Sequence, residues 1–196
     1  MEDTALVVGL GNPGPNYAKN RHNFGFLVLD ELKSQTCASN WQKKFKGDFS
    51  QGRLQDRRIF LLKPMTFMNL SGQSTALAAQ YYQISSENII VIHDDLDLPF
   101  ETVRVKYGGG TGGHKGIASI KQQLGTANFI RVRMGIGRPP HGNATNYVLD
   151  NFSSKETLTL MDVIAHGAEA VEYIVCRDVN TAMNKFNKRG GEGNEC

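Results

Sequence analysis

Cysteine is scarce: Cys37, Cys176 and Cys196 are the only three in a chain of 196 residues. They form neither an even set nor a C-x-x-C pair, which argues against a disulfide framework and against a cysteine-rich zinc site. Reduced thiols without a catalytic part are expected. Long hydrophobic runs are missing too. The run at Ile89-Ile90-Val91-Ile92 falls far short of the roughly 20 apolar residues that a bilayer-spanning helix needs. The start, Met1-Glu2-Asp3-Thr4, is acidic where a secretory leader is basic. A soluble, cytoplasmic protein with no membrane contact is the expectation. Three catalytic signatures are absent: G-x-S-x-G of serine hydrolases, H-E-x-x-H of zinc hydrolases, and G-x-x-x-x-G-K-[ST] of P-loop proteins.

Charge of one sign is not in large excess overall, with 22 Lys and Arg against 19 Asp and Glu. Its distribution is uneven. Residues 101–149 hold Arg104, Lys106, Lys115, Lys121, Arg131, Arg133 and Arg138 against the single acid Glu101. A basic block on a near-neutral chain suits a polyanionic partner held at one place, or equally a solvated sheet face. Apolar and charged contents are ordinary for a globular protein. The length suits one domain, expected over residues 1–188, with 189–196 (from Gly190-Gly191 to Cys196) as a frayed tail.

The apolar periodicity predicts an α/β protein. Thr4 to Gly9 reads as a strand ending in a Gly-Asn-Pro-Gly turn. Helical spacing predicts a helix over 22–33 and another over 69–82. Two strands are expected at 47–54 and 58–62. Ile89 to Ile92 is apolar at every position, the mark of a strand covered on both faces. Residues 103–106 and 130–136 alternate apolar and basic, as half-exposed strands do. A short helix is expected near 117–124, a long one from Ser153, whose spacing to Glu156 is that of a capping box, and a last one near 179–186. The pattern predicts one mixed central sheet sandwiched by helices. Sites in such sheets gather beyond the carboxyl ends of parallel strands, so the turns at Gly11–Gly14 and His93–Asp97 should share one rim.

Several motifs could carry chemistry. Gly9-Leu10-Gly11-Asn12-Pro13-Gly14 fits G-x-G-x-x-G, but Pro13 and Pro15 break the helix start that a dinucleotide site needs, so no cofactor is expected. His22, in Arg21-His22-Asn23 near a helix start, could be a neutral, basic imidazole or simply a satisfied core histidine. Asp94, in His93-Asp94-Asp95-Leu96-Asp97, could orient an imidazole. The same cluster could hold a divalent metal through His93, Asp94 and Asp97, or be a polar loop. Asn69 reads as a helix cap and Asn12 as a turn residue, or both as amides that hold a peptide group or an oxyanion. The run Gly108 to Gly116 has the make-up of an anion-binding loop or a lid.

Five stretches together resemble the bacterial-type peptidyl-tRNA hydrolases: VVGLGNPGPNYAKNRHNFGF, KPMTFMNLSG, IIVIHDDLDLP, VKYGGGTGGHKG and RVRMGIGRP. They stand in the family's order across most of residues 5–140. The resemblance implies a monomeric α/β hydrolase that needs no metal and no cofactor. It would cleave the ester between a peptide and the 3′ ribose of tRNA, with the acceptor stem and 3′ end of peptidyl-tRNA as its partner. It implies His22 as the catalytic base and Asp94 as its carboxylate partner. Asn12, Tyr17, Met68 and Asn69 would contact the substrate, with His114 and Lys115 beside them. Lys106 and Arg133 would clamp phosphates, and the alternation along the two strands adds Arg104 and Arg131 to that basic face. Lys115 stands where the family usually has asparagine, and a lysine cannot accept a hydrogen bond. A metal-dependent hydrolase and a non-catalytic acceptor-stem binder remain the alternatives.

Overall fold

The computed structural model describes residues 4–139 and 142–188. The expected tail, with Cys196, lies outside the described residues.

In chain order the elements are β1 (Thr4–Gly9), α1 (Phe24–Gln35), β2 (Gln42–Lys44), β3 (Gly47–Leu54), β4 (Arg57–Pro64), α2 (Ser71–Tyr81), β5 (Ile89–Asp95), β6 (Val103–Tyr107), α3 (Lys115–Leu124), β7 (Ile130–Gly135), α4 (Ala144–Leu149), α5 (Ser154–Thr157), α6 (Leu160–Cys176) and α7 (Val179–Phe186). The seven strands form one sheet in the order β2-β3-β4-β1-β5-β7-β6. Its centre is parallel, β1 lying between β4 and β5, and β7 beyond β5. Both margins are antiparallel. The expected mixed sheet sandwiched by helices is what forms.

The two-residue period of the strands sorts the apolar residues into two cores. Val7, Ile90 and Ile92 face one way, with α1 and α6 residues such as Val28, Leu29, Ile164 and Val171. Leu6, Val8, Ile89 and Val91 face the other way, with Ala78 of α2 and Ile117 and Ile120 of α3. This is why the run at 89–92 is apolar throughout.

Gly25 fixes where α1 begins. A Cβ there would lie 2.3 Å from the Leu10 nitrogen and 2.4 Å from the Ile92 carbonyl oxygen. Only glycine lets the first turn of α1 press onto the β1–β5 seam. The preceding 3₁₀ turn, Arg21–Asn23, is thereby set on the sheet's carboxyl rim.

Some expectations are corrected. β5 runs on to Asp95, so Asp94 is a strand residue rather than part of a turn. The helix expected from Ser153 is broken: α5 has the full Ser153–Glu156 capping box, and α6 starts afresh at Leu160. Thr159 at the break donates its hydroxyl to Glu101 over 2.6 Å. Asn69 does not cap α2. It sits in a 3₁₀ turn, and Leu70 occupies the cap position without a side-chain bond. α4 was not anticipated, although Asn143 is an ordinary cap for it, accepting from the Thr145 nitrogen.

Candidate active site

A cleft of about 540 Å³ opens at the rim above β1 and β5. Asp94 lies at its base, 2% exposed. Its Oδ1 accepts from His22 Nδ1 at 2.8 Å and from His114 Nε2 at 3.0 Å. Burial pushes the Asp94 carboxyl up, but the charges and hydrogen bonds of His114 and His22 outweigh it and hold the group far below 3.8. The carboxylate therefore stays ionised. His22 gives its Nδ1 proton to that carboxylate, which leaves Nε2 as the lone-pair atom on the cleft side. The tautomer of His114 is fixed from behind. Its Nδ1 accepts from the Gly116 and Ile117 nitrogens, capping α3, so Nε2 must carry the proton.

The amides are equally constrained. Asn23, next to His22, clasps the backbone of Asn12: its Oδ1 accepts from the Asn12 nitrogen at 2.8 Å and its Nδ2 donates to the Asn12 carbonyl at 2.9 Å. Asn12 Oδ1 in turn accepts from the Met68 nitrogen at 2.9 Å. The Nδ2 group of Asn12 is thus the donor left for the cleft. Asn69 is exposed at the same wall, and Met68 is buried beneath it. Tyr17 ends the 3₁₀ turn Pro15–Tyr17 and is not among the residues that line the cleft. Sequence reading missed Asn23. Its signal was its place beside His22, but nothing local showed that it would reach back eleven residues to Asn12.

The trio of the alternative metal reading, His93, Asp94 and Asp97, does not gather its side chains at one point. His93 gives Nδ1–H to the Asp94 carbonyl and its Nε2 is buried without a partner. Burial first, then His114, pushes the His93 imidazole down to about 3. Asp97 is turned outward onto Arg138 at 2.6 Å. The ligand-type atoms that do gather, within 4.8 Å, are those of His22, Asp94 and His114. Here the donor set fits a metal poorly. A metal on His114 Nε2 would need an imidazolate, since Nδ1 already accepts two backbone N–H bonds.

The four strand-borne basic residues meet different fates. Lys106 is exposed, and its side chain passes beside Gly109 of the glycine-rich loop. Arg133 is partly exposed and donates Nε–H to Asp95 at 2.7 Å. Arg131 is 3% exposed, against the expectation of a basic surface residue. Its guanidinium stacks on Phe129 and donates to the Gly109 and Gly110 carbonyls. Arg104 reaches round the sheet edge to the Lys188 carbonyl at 2.9 Å and the Phe186 carbonyl at 3.4 Å. Lys115 is exposed at the first turn of α3 and lines the cleft.

Taken with the mixed sheet, a histidine–carboxylate pair open to a cleft and ringed by amides is an arrangement that an α/β hydrolase can use. Comparison with known proteins carries this further. The model of the peptidyl-tRNA hydrolase family matches residues 6–193, and the chain belongs to that family. The peptidyl-tRNA hydrolase of Citrifermentans bemidjiense is 48% identical over 184 residues, 94% of this chain and 98% of the relative. That of Rhodococcus opacus is 48% identical over 187 residues, with the same coverage of each. The crystal structure of the Acinetobacter baumannii peptidyl-tRNA hydrolase superposes with a TM-score of 0.88 at 38% identity, covering 95% of this chain and 96% of that one.

Proposed function

We infer that His22 is the general base with which this peptidyl-tRNA hydrolase cleaves the ester between a peptide and the 3′ ribose of tRNA. The observation that carries the reading is the His22–Asp94 bond of 2.8 Å, which leaves Nε2 towards the cleft. Water gives a proton to His22 Nε2 as its oxygen attacks the ester carbonyl. The Asp94 carboxylate stabilises the imidazolium that forms. The Nδ2 groups of Asn12 and Asn69 hold the peptide carbonyls and the developing oxyanion. Collapse then releases the ribose oxygen, which takes the proton back from His22; free tRNA leaves with the peptide acid, which gives its remaining water-derived proton to solvent to become the carboxylate.

Lys106, Arg133 and Lys115 hold the acceptor stem and 3′ end, while Arg131 and Arg104 support the loop and edge that present them. Tyr17 contacts substrate from the neighbouring turn. Cytoplasmic placement fits the substrate. Among the described residues no helix is long and apolar enough to cross a membrane.

The test is hydrolysis of N-acetylated aminoacyl-tRNA beside the free aminoacyl form, with a chelator present. The acylated substrate should be cleaved at an undiminished rate, and His22→Ala should lower kcat by roughly 10²-fold or more, the usual scale for a lost base. Loss of activity in chelator, restored by zinc or manganese, would establish the metal reading instead. Binding without turnover would establish the acceptor-stem binder.

A further inference from the structure

Arg21 stands directly before His22 in the rim turn Arg21–Asn23. Arg21 is 6% exposed, although it is an arginine on a rim turn. Its Nη2 donates to Glu156 Oε2 at 2.7 Å and its Nε to Oε1 at 3.4 Å, a two-pronged grip. Nη1 leans on the Tyr147 and Asp150 carbonyls at 3.4 and 3.5 Å. The guanidinium carbon stands 4.2 Å above the Tyr147 ring. Glu156 is itself held, since its Oε2 also accepts from the Ser153 nitrogen in the α5 capping box. Two backbone links run alongside: Arg21 N–H to the Asp150 carbonyl, and a bridge pairing Asn20 with Asn151.

The segment gripped is one wall of the cleft. Ala144, Thr145, Val148 and Leu149 of α4 line it. The 3₁₀ turn Arg21–Asn23 is therefore tied three ways: Arg21 to the α4–α5 wall, His22 to Asp94, and Asn23 to Asn12. A short turn has few bonds of its own to fix an imidazole, and general-base catalysis is sensitive to sub-ångström placement.

We propose that Arg21, held by Glu156, is a positioning residue for His22, coupling the α4 wall of the cleft to the catalytic base so that the two keep one geometry. This rests on His22 being the base. Arg21 touches no reacting atom; it acts through the turn.

The experiment uses the full chain and saturating N-acetylated aminoacyl-tRNA. Arg21→Lys keeps the charge but loses the fork and the stacking. It should lower kcat about tenfold with KM within twofold of wild type. Glu156→Gln should lower kcat in the same sense by less, and the double variant should be no worse than Arg21→Lys alone, because both act on one link. Arg21→Gly should regain kcat when guanidinium ion is added at millimolar, non-denaturing concentration, a rescue that no gain in folded fraction explains. His22→Ala should show no such rescue. Folded Arg21→Lys with unchanged kcat, an effect on KM alone, or a loss that merely tracks the folded fraction would each overturn the proposal. Wild-type turnover with inactive His22→Ala, measured in the same series, keeps that failure separate from failure of the general-base reading.

Discussion

At the scale of single residues, three histidines, with His114 in ring contact with each of the other two, are set apart by what their nitrogens face. His114 is 5.0 Å from His22 and 4.9 Å from His93, ring to ring. His22 and His114 both donate to Asp94, whereas His93 turns away and buries an unpaired Nε2. That Asp94 could meet an imidazole was legible from its motif, and the bond to His22 agrees with it. The role of His93 was not, because alternation along β5 gives it a face of the sheet but not the partner of its ring. Its burial has a measurable consequence. The folded-state value is pushed down to about 3 from 6.5. Between those two pH values the unfolded chain binds a proton at this position that the folded one refuses. Stability is thus fully present above 6.5 and is lost as pH falls towards 3, at up to about 1.4 kcal/mol per pH unit. Asp94 acts in a lower window, since its own value is depressed from 3.8. Replacing His93 with Asn keeps a donor for the Asp94 carbonyl and removes the titration. Denaturant unfolding of both proteins from pH 4 to 6.5 should show a flatter dependence in His93→Asn, whatever the offset in absolute stability. Equal slopes would mean that His93 takes up a proton in the folded protein as readily as in the unfolded chain.

At the scale of elements, the sheet and the larger helices were readable because apolar periodicity reports burial directly. The short pieces were not, because their existence depends on partners distant in sequence. β2 has three exposed residues and exists by pairing with β3. At the break before α6, Thr159 meets Glu101, 58 residues away. The start of α3 is the instructive case. His114 reads in the sequence as one member of the glycine-rich run 108–116, yet it caps the helix with one ring nitrogen and donates to Asp94 with the other. One side chain thereby joins a helix terminus to the candidate site, and the two roles are separable by substitution. His114→Ala should destabilise the fold by roughly 1 kcal/mol, the usual effect of a lost cap. His114→Asn can still cap, so thermal unfolding should return towards the wild-type midpoint. Asparagine is too short to replace the bond to Asp94, so turnover should stay depressed in both. Recovery of activity along with stability in His114→Asn would show that only the cap matters.

For the whole molecule, the question left by the sequence is whether the basic block from 101 to 149 is a nucleic-acid surface or a solvated face. Alternation alone put Arg104, Lys106, Arg131 and Arg133 on one side of two strands, and the pairing of Arg104 with Arg133 and of Lys106 with Arg131 across β6 and β7 agrees with that. What alternation could not convey is that the glycine-rich loop and the end of α7 fold over parts of this face. Arg131 is sealed beneath Gly109 and Gly110. Arg104 closes the end of α7, next to Asn187, which pairs with both backbone groups of Val105 and so covers the exposed edge of β6. Lys106 stays in solvent, Arg133 keeps part of its surface exposed, and Lys115 lines the cleft. The residues should therefore separate by experiment. Neutralising a phosphate ligand lowers the slope of log K against log salt by about 0.7–0.9 per contact. Lys106→Ala should lower it by about one such step and raise KM equally for unrelated peptidyl-tRNAs, with kcat nearly kept. Arg104→Ala should leave the slope unchanged and lower the unfolding midpoint, since it leaves the last carbonyls of α7 without their donor. Arg131→Ala should also lose stability, with the loop at 108–114 becoming the first segment to exchange its amide protons. The measurement is KM at several salt concentrations for the three variants, beside thermal unfolding. An unchanged slope in Lys106→Ala would return this part of the block to the role of a solvated face. A slope change in Arg104→Ala with unaltered stability would place the tRNA backbone at the sheet's outer edge rather than beside the glycine-rich loop.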